Sequence, residues 1–266
     1  MTISDVEVAI AAARAGADVV LRSYGSDHVR QAKSATDFTT ETDVDAERAI
    51  LAVLAEHRPD DPRTGEEFGA IGAAESPRRW LVDPLCGTLN FAAAAPLTIV
   101  NVALTRCGAV SIAAAADPNA AEVFWTDGEG SYRRSDSEDY RLTPTALSGL
   151  IDINCDGPID RPFVGGQLVS DPNLRAAYGP RVISSTLAVA WVAAGRRAAY
   201  VSDGHFRENV HFAAGIALCQ AAGCTISDLA GGPLHADRGL VIAADENTHE
   251  RVLSLVEPHL ASIRRL

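Results

Sequence analysis

A chain of 266 residues can bury one large core or two smaller ones that share a boundary. Hydrophobic residues at 47% and charged residues at 22% match ordinary globular usage and exclude a disordered chain. The net charge of −12 argues against nucleic acid or an anionic membrane as a principal partner, because phosphate recognition needs clustered Lys and Arg.

Ser4-Asp5-Val6-Glu7 reads as a capping box. The apolar residues Val6, Ile10, Ala13, Ala17, Val20 and Leu21 follow at helical spacing, which predicts the first helix. Thr42-Asp43-Val44-Asp45 opens a second, with Ala46, Ala49, Ile50, Val53 and Leu54 on one face. The middle of the chain changes texture. Residues 97–104, 109–116, 122–126 and 131–134 are short β-prone runs broken by Gly and Asp-Pro turns, which predicts an antiparallel sheet.

Beyond about residue 150 strands and helices alternate. A strand near Val182-Ile183 leads to a helix over 186–194, stopped at Gly195. A strand over 198–201 precedes a helix over 210–222, with Asn209 as its cap and Gly223 as its stop. Strands near Thr225-Ile226 and over 240–243 follow, then a last helix towards Arg264. The alternation predicts layers of helix and sheet, with function at the seam of two halves, 1–150 and 151–266.

No apolar run approaches the roughly 20 residues that span a bilayer. Met1-Thr2-Ile3-Ser4-Asp5 lacks the basic start and apolar centre of a signal peptide, so the cytoplasm is the expected compartment. The five cysteines are odd in number and show no paired spacing, which implies neither a disulfide framework nor a zinc ribbon. Cys107, Cys155, Cys219 and Cys224 read as small core hydrophobes, and His57, His235 and His249 as surface residues.

The most informative stretch is Trp80-Leu81-Val82-Asp83-Pro84-Leu85-Cys86-Gly87-Thr88-Leu89-Asn90-Phe91. An apolar run ends on an acid, turns through Pro and Gly, and restarts on Thr and Asn. That gathers a carboxylate, a backbone carbonyl, the side chain at 86 and a hydroxyl around one point. An acid closing an apolar strand is costly unless it is used. The segment resembles the Asp-Pro-(Ile/Leu)-Asp-Gly-Thr signature of the inositol monophosphatase family, with Cys86 standing at the family's second aspartate. Three more segments lie in family order: Lys33 to Asp43 followed by Glu47; Gly65-Glu66-Glu67; and Val210-His211-Phe212-Ala213-Ala214-Gly215, similar to a Trp-Asp-x-Ala-Ala-Gly helix start. Ala221-Ala222-Gly223 and Asp228 fit later landmarks.

The resemblance covers nearly the whole chain. It implies an α/β fold of the layered α+β kind, an αβαβα sandwich, in a metal-dependent phosphomonoesterase that acts on a small phosphorylated metabolite and is expected as a homodimer. It implies magnesium on Glu66, Asp83 and the Leu85 carbonyl, with Asp43 and Thr88 orienting and deprotonating the attacking water. Hard oxygen donors suit magnesium, and phosphate transfer is mostly positioning and charge neutralisation. In the family the second metal takes the shared aspartate and two more; those two positions here are Cys86 and His211, beside the leaving group. Asp, Cys and His together prefer zinc or another transition metal.

Three readings follow. The pair binds a transition metal and hydrolysis survives; only the first metal binds and hydrolysis is weak; or the pocket serves non-hydrolytic lyase, cyclase or isomerase chemistry with His211 as acid or base. A catalytically inactive binding or regulatory homologue stands as an alternative of another class. The resemblance also implies a substrate wall of Gly87, Thr88, Ser185, Thr186 and Ser202. Asp203 or Glu208 would stand in for the family's downstream acid; in this reshaped loop His205 and Arg207 would face the pocket, Arg207 holding an anionic group, the other reading of Arg207 being a surface residue. The change from the family's wall at Ser185-Thr186-Leu187 implies a ligand less like inositol.

Overall fold

The Ser4 hydroxyl accepts the Glu7 amide at 3.2 Å and opens α1 (Asp5–Ser23) as expected. In the computed structural model, which describes residues 3–26, 30–32, 38–204, 206, 209–234 and 238–263, the chain divides into two compact units. The first comprises Met1–Arg141, Ser185–Leu187 and Val210–Leu218; the second comprises Leu142–Ser184, Ala188–Asn209 and Cys219–Leu266. The division therefore falls after Arg141, where the β-rich run ends. The first unit also takes back two short pieces of the C-terminal half, because their side chains pack on its sheet.

In the first unit α1 is followed by the antiparallel pair β1 (Arg30–Ala32) and β2 (Phe38–Thr40), then α2 (Glu41–His57). The second helix begins one residue before the expected Thr42. Its N-cap is Thr40, whose backbone N–H and hydroxyl both donate to Asp43 Oδ2, at 2.8 and 2.5 Å. β3 (Arg63–Gly65), β4 (Gly69–Ile71), β5 (Arg78–Cys86), the short α3 (Thr88–Ala92), β6 (Ile99–Arg106), β7 (Ala109–Asp117), β8 (Glu122–Thr126), β9 (Ser131–Ser135) and β10 (Glu138–Arg141) complete it. Among the described residues the strands form one eight-stranded sheet, ordered β10-β9-β8-β7-β6-β5-β3-β4. It is antiparallel except where β3 runs parallel to β5.

Strand alternation sorts this sheet into two faces. Val82, Val100, Val102, Leu104, Ala114 and Ala116 pack with α1 and α2 in one core. On the other face Leu81, Ala103 and Ala113 receive Ala214 and Ala217 from the helix described below that starts at Val210. Asp83 and Asn101 are odd-numbered partners in the β5–β6 ladder, so they share the face of Leu81 and Ala103. That parity is what brings an acid to the helix start carrying His211.

The second unit holds β11 (Leu150–Ile153), α4 (Val164–Ser170), α5 (Pro172–Ala177), β12 (Gly179–Val182), most of α6 (Leu187–Ala193), β13 (Ala199–Ser202), the end of α7 (Val210–Ala222), β14 (Thr225–Ser227), β15 (Leu240–Ala243) and α8 (Glu246–Ile263). Its sheet is ordered β12-β11-β13-β15-β14, with β11 parallel to both neighbours and the later pairs antiparallel. Ile151, Ile153, Val201, Val241, Val252 and Val256 form its core. α7 ends as expected at Gly223, whose φ of +93° permits the Cys224 amide to reach back to the Cys219 carbonyl at 2.9 Å.

Two surface and core assignments change. Cys107 is exposed, because it forms the β6–β7 turn with φ +52°, where no core position exists. His249 is buried, its Nε2 2.8 Å from Ser227 Oγ, since the first turn of α8 faces the sheet. His57 is half-buried, and His235 lies outside the described residues. No helix among the described residues is long and apolar enough to cross a membrane.

Candidate metal and phosphate site

The ladder between β5 and β6 is regular up to Asp83↔Asn101, shifts register, and resumes at Cys86↔Ile99. Pro84 and Leu85 form the resulting bulge, a position that tolerates a proline without an amide hydrogen. The bulge turns Asp83 and Cys86 towards one point. Gly87 follows at φ +103°, a conformation that suits glycine and swings the chain into α3, bringing Thr88 back over the bulge.

Asp83 is fully buried. Its Oδ1 accepts the Leu85 amide at 3.2 Å, and its Oδ2 accepts Asn101 Nδ2 at 3.3 Å and lies 3.0 Å from His211 Nδ1. Glu66 reaches the same imidazole, with Oε2 at 3.8 Å from Nδ1. Parallel pairing of β3 with β5 explains this proximity: the Glu66 amide donates to the Val82 carbonyl at 3.2 Å, one residue before Asp83. His211 occupies the first turn of α7, its side chain 38% exposed.

Asp43 lies in the first turn of α2. Its Oδ2 is occupied by Thr40, which leaves Oδ1 to accept the Thr88 hydroxyl at 3.0 Å; the same hydroxyl lies 3.2 Å from the Leu85 carbonyl. Burial raises the Asp43 carboxyl above its usual value, against the lowering effect of these hydrogen bonds. One turn further along α2, fully buried Glu47 accepts the Glu67 and Phe68 amides at 2.7 and 3.1 Å and so fixes the loop that carries Glu66. Burial raises Glu47 as well, offset in part by those two amides.

The half-buried Cys86 accepts the Thr186 amide on Sγ at 3.2 Å, while Ser185 Oγ donates to the Cys86 carbonyl at 3.1 Å. Burial, with the nearby Asp83 charge adding to it, pushes the thiol well above its usual value. Asn101 Nδ2 also donates to Thr186 Oγ1 at 2.9 Å, which links this segment to Asp83. The donor atoms of Asp83, Cys86 and His211 all lie within 4.8 Å of one another.

The first unit thus brings together Asp43, Glu66, Asp83, Leu85, Cys86, Gly87, Thr88, Ser185, Thr186 and His211. His211, expected from the C-terminal half, reaches the others because Val210–Leu218 belongs to the first unit. Ser202 and Asp203 belong to the second unit. Ser202 is buried and donates to the Asp203 carbonyl at 2.9 Å. Asp203 caps α4 through the Val164 and Gly165 amides at 3.1 and 2.8 Å. His205, Arg207, Glu208 and the stretch 33–37 lie outside the described residues.

Asn101 escaped the sequence reading, though it had a signal, an amide inside the apolar run Ile99-Val100-Asn101-Val102. Glu47 was legible as the end of the first family segment, but without the role of holding the Glu66 loop.

The chain thus has a layered α+β fold with carboxylates gathered at a strand bulge. Residues 4–261 match the model of the inositol monophosphatase family, and the chain belongs to that family. The inositol-1-monophosphatase of Mesorhizobium japonicum is 34% identical over 236 residues, covering 86% of each chain. The Nus factor SuhB of Escherichia coli is 28% identical over 272 residues, covering 96% of this chain and 97% of that protein. Among solved structures, the extragenic suppressor protein SuhB of Bartonella henselae superposes with a TM-score of 0.82 at 25% identity, covering 94% of this chain and 97% of its own. The Thermotoga maritima IMPase superposes at 0.80 with 22% identity over 95% and 96% of the two chains, which supports the fold alone.

Proposed function

We propose that this chain hydrolyses a small phosphomonoester, using a hard divalent cation of the magnesium class held by Glu66, Asp83 and the Leu85 carbonyl. The observation that carries the reading is the 3.0 Å hydrogen bond from Thr88 Oγ1 to Asp43 Oδ1 beside those donors. Two carboxylates and a carbonyl fit the all-oxygen preference of such a cation. When bound, the cation neutralises phosphate charge and makes water a better nucleophile.

The remaining chemistry belongs to the chain. The Thr88 hydroxyl gives its proton to Asp43, and its oxygen accepts one from the attacking water. Asp43 has only Oδ1 left for this, since Thr40 occupies Oδ2, so the acceptor is oriented before substrate arrives. Burial makes Asp43 a stronger base than an exposed aspartate. As the water oxygen bonds to phosphorus the ester P–O bond breaks, and the alcohol leaves with a proton from solvent. Glu47 and Asn101 are positioning residues: one fixes the loop of Glu66, the other the carboxylate of Asp83.

A second reading is favoured by the His211–Asp83 pair. An imidazole oriented by a buried carboxylate can move protons in lyase, cyclase or isomerase chemistry without a metal. A panel of small phosphate esters, inositol 1-phosphate among them, assayed with magnesium before and after chelation separates the two. Phosphate release that chelation abolishes supports the first reading. Turnover that ignores chelator but is lost in His211→Ala supports the second. No phosphate release from any ester with magnesium, manganese or zinc rules out the first.

A further inference from the structure

Magnesium explains the oxygen side of the pocket and leaves Cys86 and His211 unexplained. A thiol and an imidazole are poor ligands for a hard cation that prefers six oxygens. Yet the geometry gathers them with the one carboxylate that also serves the oxygen side. Cys86 is brought in by the bulge of β5, three residues after Asp83, and His211 by the first turn of α7. The donor atoms of the three residues lie within 4.8 Å of one another. In a tetrahedral site with bonds of about 2.0 Å to N and O and about 2.3 Å to S, donors stand roughly 3.3–3.5 Å apart. Separations of up to 4.8 Å must therefore contract by roughly an ångström to form that cage.

We propose that Asp83, Cys86 and His211 bind a thiophilic divalent transition metal of the zinc type, with Asp83 shared between it and the hard cation. The inference rests on the preceding reading only in placing the hard cation beside it. Glu66, whose Oε2 lies 3.8 Å from His211 Nδ1, would be the hard cation's other carboxylate. Three protein donors leave one position open, the ligand count of a catalytic zinc site and one short of a structural site.

The surroundings suit a bound thiolate and an oriented carboxylate. The Thr186 amide donates to Cys86 Sγ at 3.2 Å. The Leu85 amide and Asn101 Nδ2 hold the two oxygens of Asp83 at 3.2 and 3.3 Å. Such partners orient ligands and tune affinity in metal sites generally. Binding releases the Cys86 proton, so affinity rises with pH.

Cobalt(II) is the probe, added to the full-length protein after metals are stripped with a chelator. The expected result is one equivalent of cobalt with an intense sulfur-to-cobalt charge-transfer band in the near ultraviolet and visible bands of tetrahedral strength. Zinc should displace it and magnesium should not. In Cys86→Ser the charge-transfer band disappears while the far-ultraviolet circular dichroism is unchanged, and His211→Gln weakens cobalt binding at least tenfold. Glu66→Gln keeps the band. A missing band, or one that survives in Cys86→Ser because another cysteine produced it, overturns the proposal. Phosphate release measured in parallel separates the two inferences. A band without hydrolysis upholds this site and defeats the phosphatase reading. Magnesium-dependent hydrolysis without a band does the reverse.

Discussion

His211 Nδ1 lies 3.0 Å from Asp83 Oδ2, so a ring that is 38% exposed rests on a carboxylate that is fully buried. The resemblance to the family puts aspartate at position 211 and at position 86. Restoring both would set three carboxylates around one point. In the absence of metal their mutual repulsion destabilises the fold, since like charges this close resist joint ionisation. Cys86→Asp combined with His211→Asp should therefore lower the Tm in chelator and respond to magnesium more strongly than the parent. A ligand at 100 times its Kd stabilises by about 2.7 kcal/mol. Thermal unfolding with and without magnesium measures this, and equal shifts in both proteins would contradict it.

Asp43→Asn removes the base of the proposed proton relay. The expected loss in kcat is about 10²–10⁴-fold with little change in KM. Because burial raises Asp43, the parent's activity falls as pH drops through a value above that of an ordinary aspartate, and that acid limb vanishes in the variant. The linkage has the opposite sense for stability. A raised folded pKa contributes stability that is full below the ordinary value and lost as pH rises through the raised one. The variant's Tm at neutral pH should thus equal or exceed the parent's, which a collapse of the fold would not produce.

A Cβ at Gly65 would sit 1.7 Å from Glu47 Oε1. Gly65→Ala must therefore drive Glu47 off the Glu67 and Phe68 amides and loosen the loop of Glu66. Overpacking of this kind costs about 1–3 kcal/mol, and losing an orienting partner typically weakens metal binding 10–100-fold. Glu47→Gln should weaken binding less, because its amide oxygen still accepts one of the two N–H groups. Titration calorimetry with magnesium gives the order, and a Gly65→Ala protein binding as tightly as the parent would refute the positioning role.

Far from the pocket, Asp5 gathers three guanidinium groups: Arg58 Nε at 2.6 Å, Arg78 Nη1 at 3.0 Å and Arg106 Nη2 at 2.6 Å. Burial alone would raise this carboxyl, but the hydrogen bonds from Arg78, Arg58 and Arg106 outweigh it and hold its pKa at about 2. A lowered folded pKa contributes stability above the ordinary carboxylate value and loses it as pH falls towards 2. After allowance for solvent screening the contribution is roughly 1–2 kcal/mol. Asp5→Asn should lose about that much at pH 7 and show a flatter fall in Tm between pH 4 and pH 2.

The sequence alone determined the local pieces. The Ser4 N-cap, the apolar faces of α1 and α2, the β-prone runs up to β9 and the helix from Val210 to Gly223 are written in spacing and turn residues, because short-range sterics and burial act on neighbours in the chain. The segment from Asp83 to Thr88 likewise announced a carboxylate and a hydroxyl at a turn. What only the tertiary structure decided was which side chains meet. The β5 bulge and the strand parity of Asp83 and Asn101 choose the sheet face, and parallel pairing sets Glu66 one residue from Asp83. Docking of the start of α7 on Leu81, Ala103 and Ala113 then brings His211 across 128 positions of sequence. Ser202 and Asp203 make hydrogen bonds within the second unit. Contacts of that length depend on the summed register of many strands and helices, which no local pattern encodes.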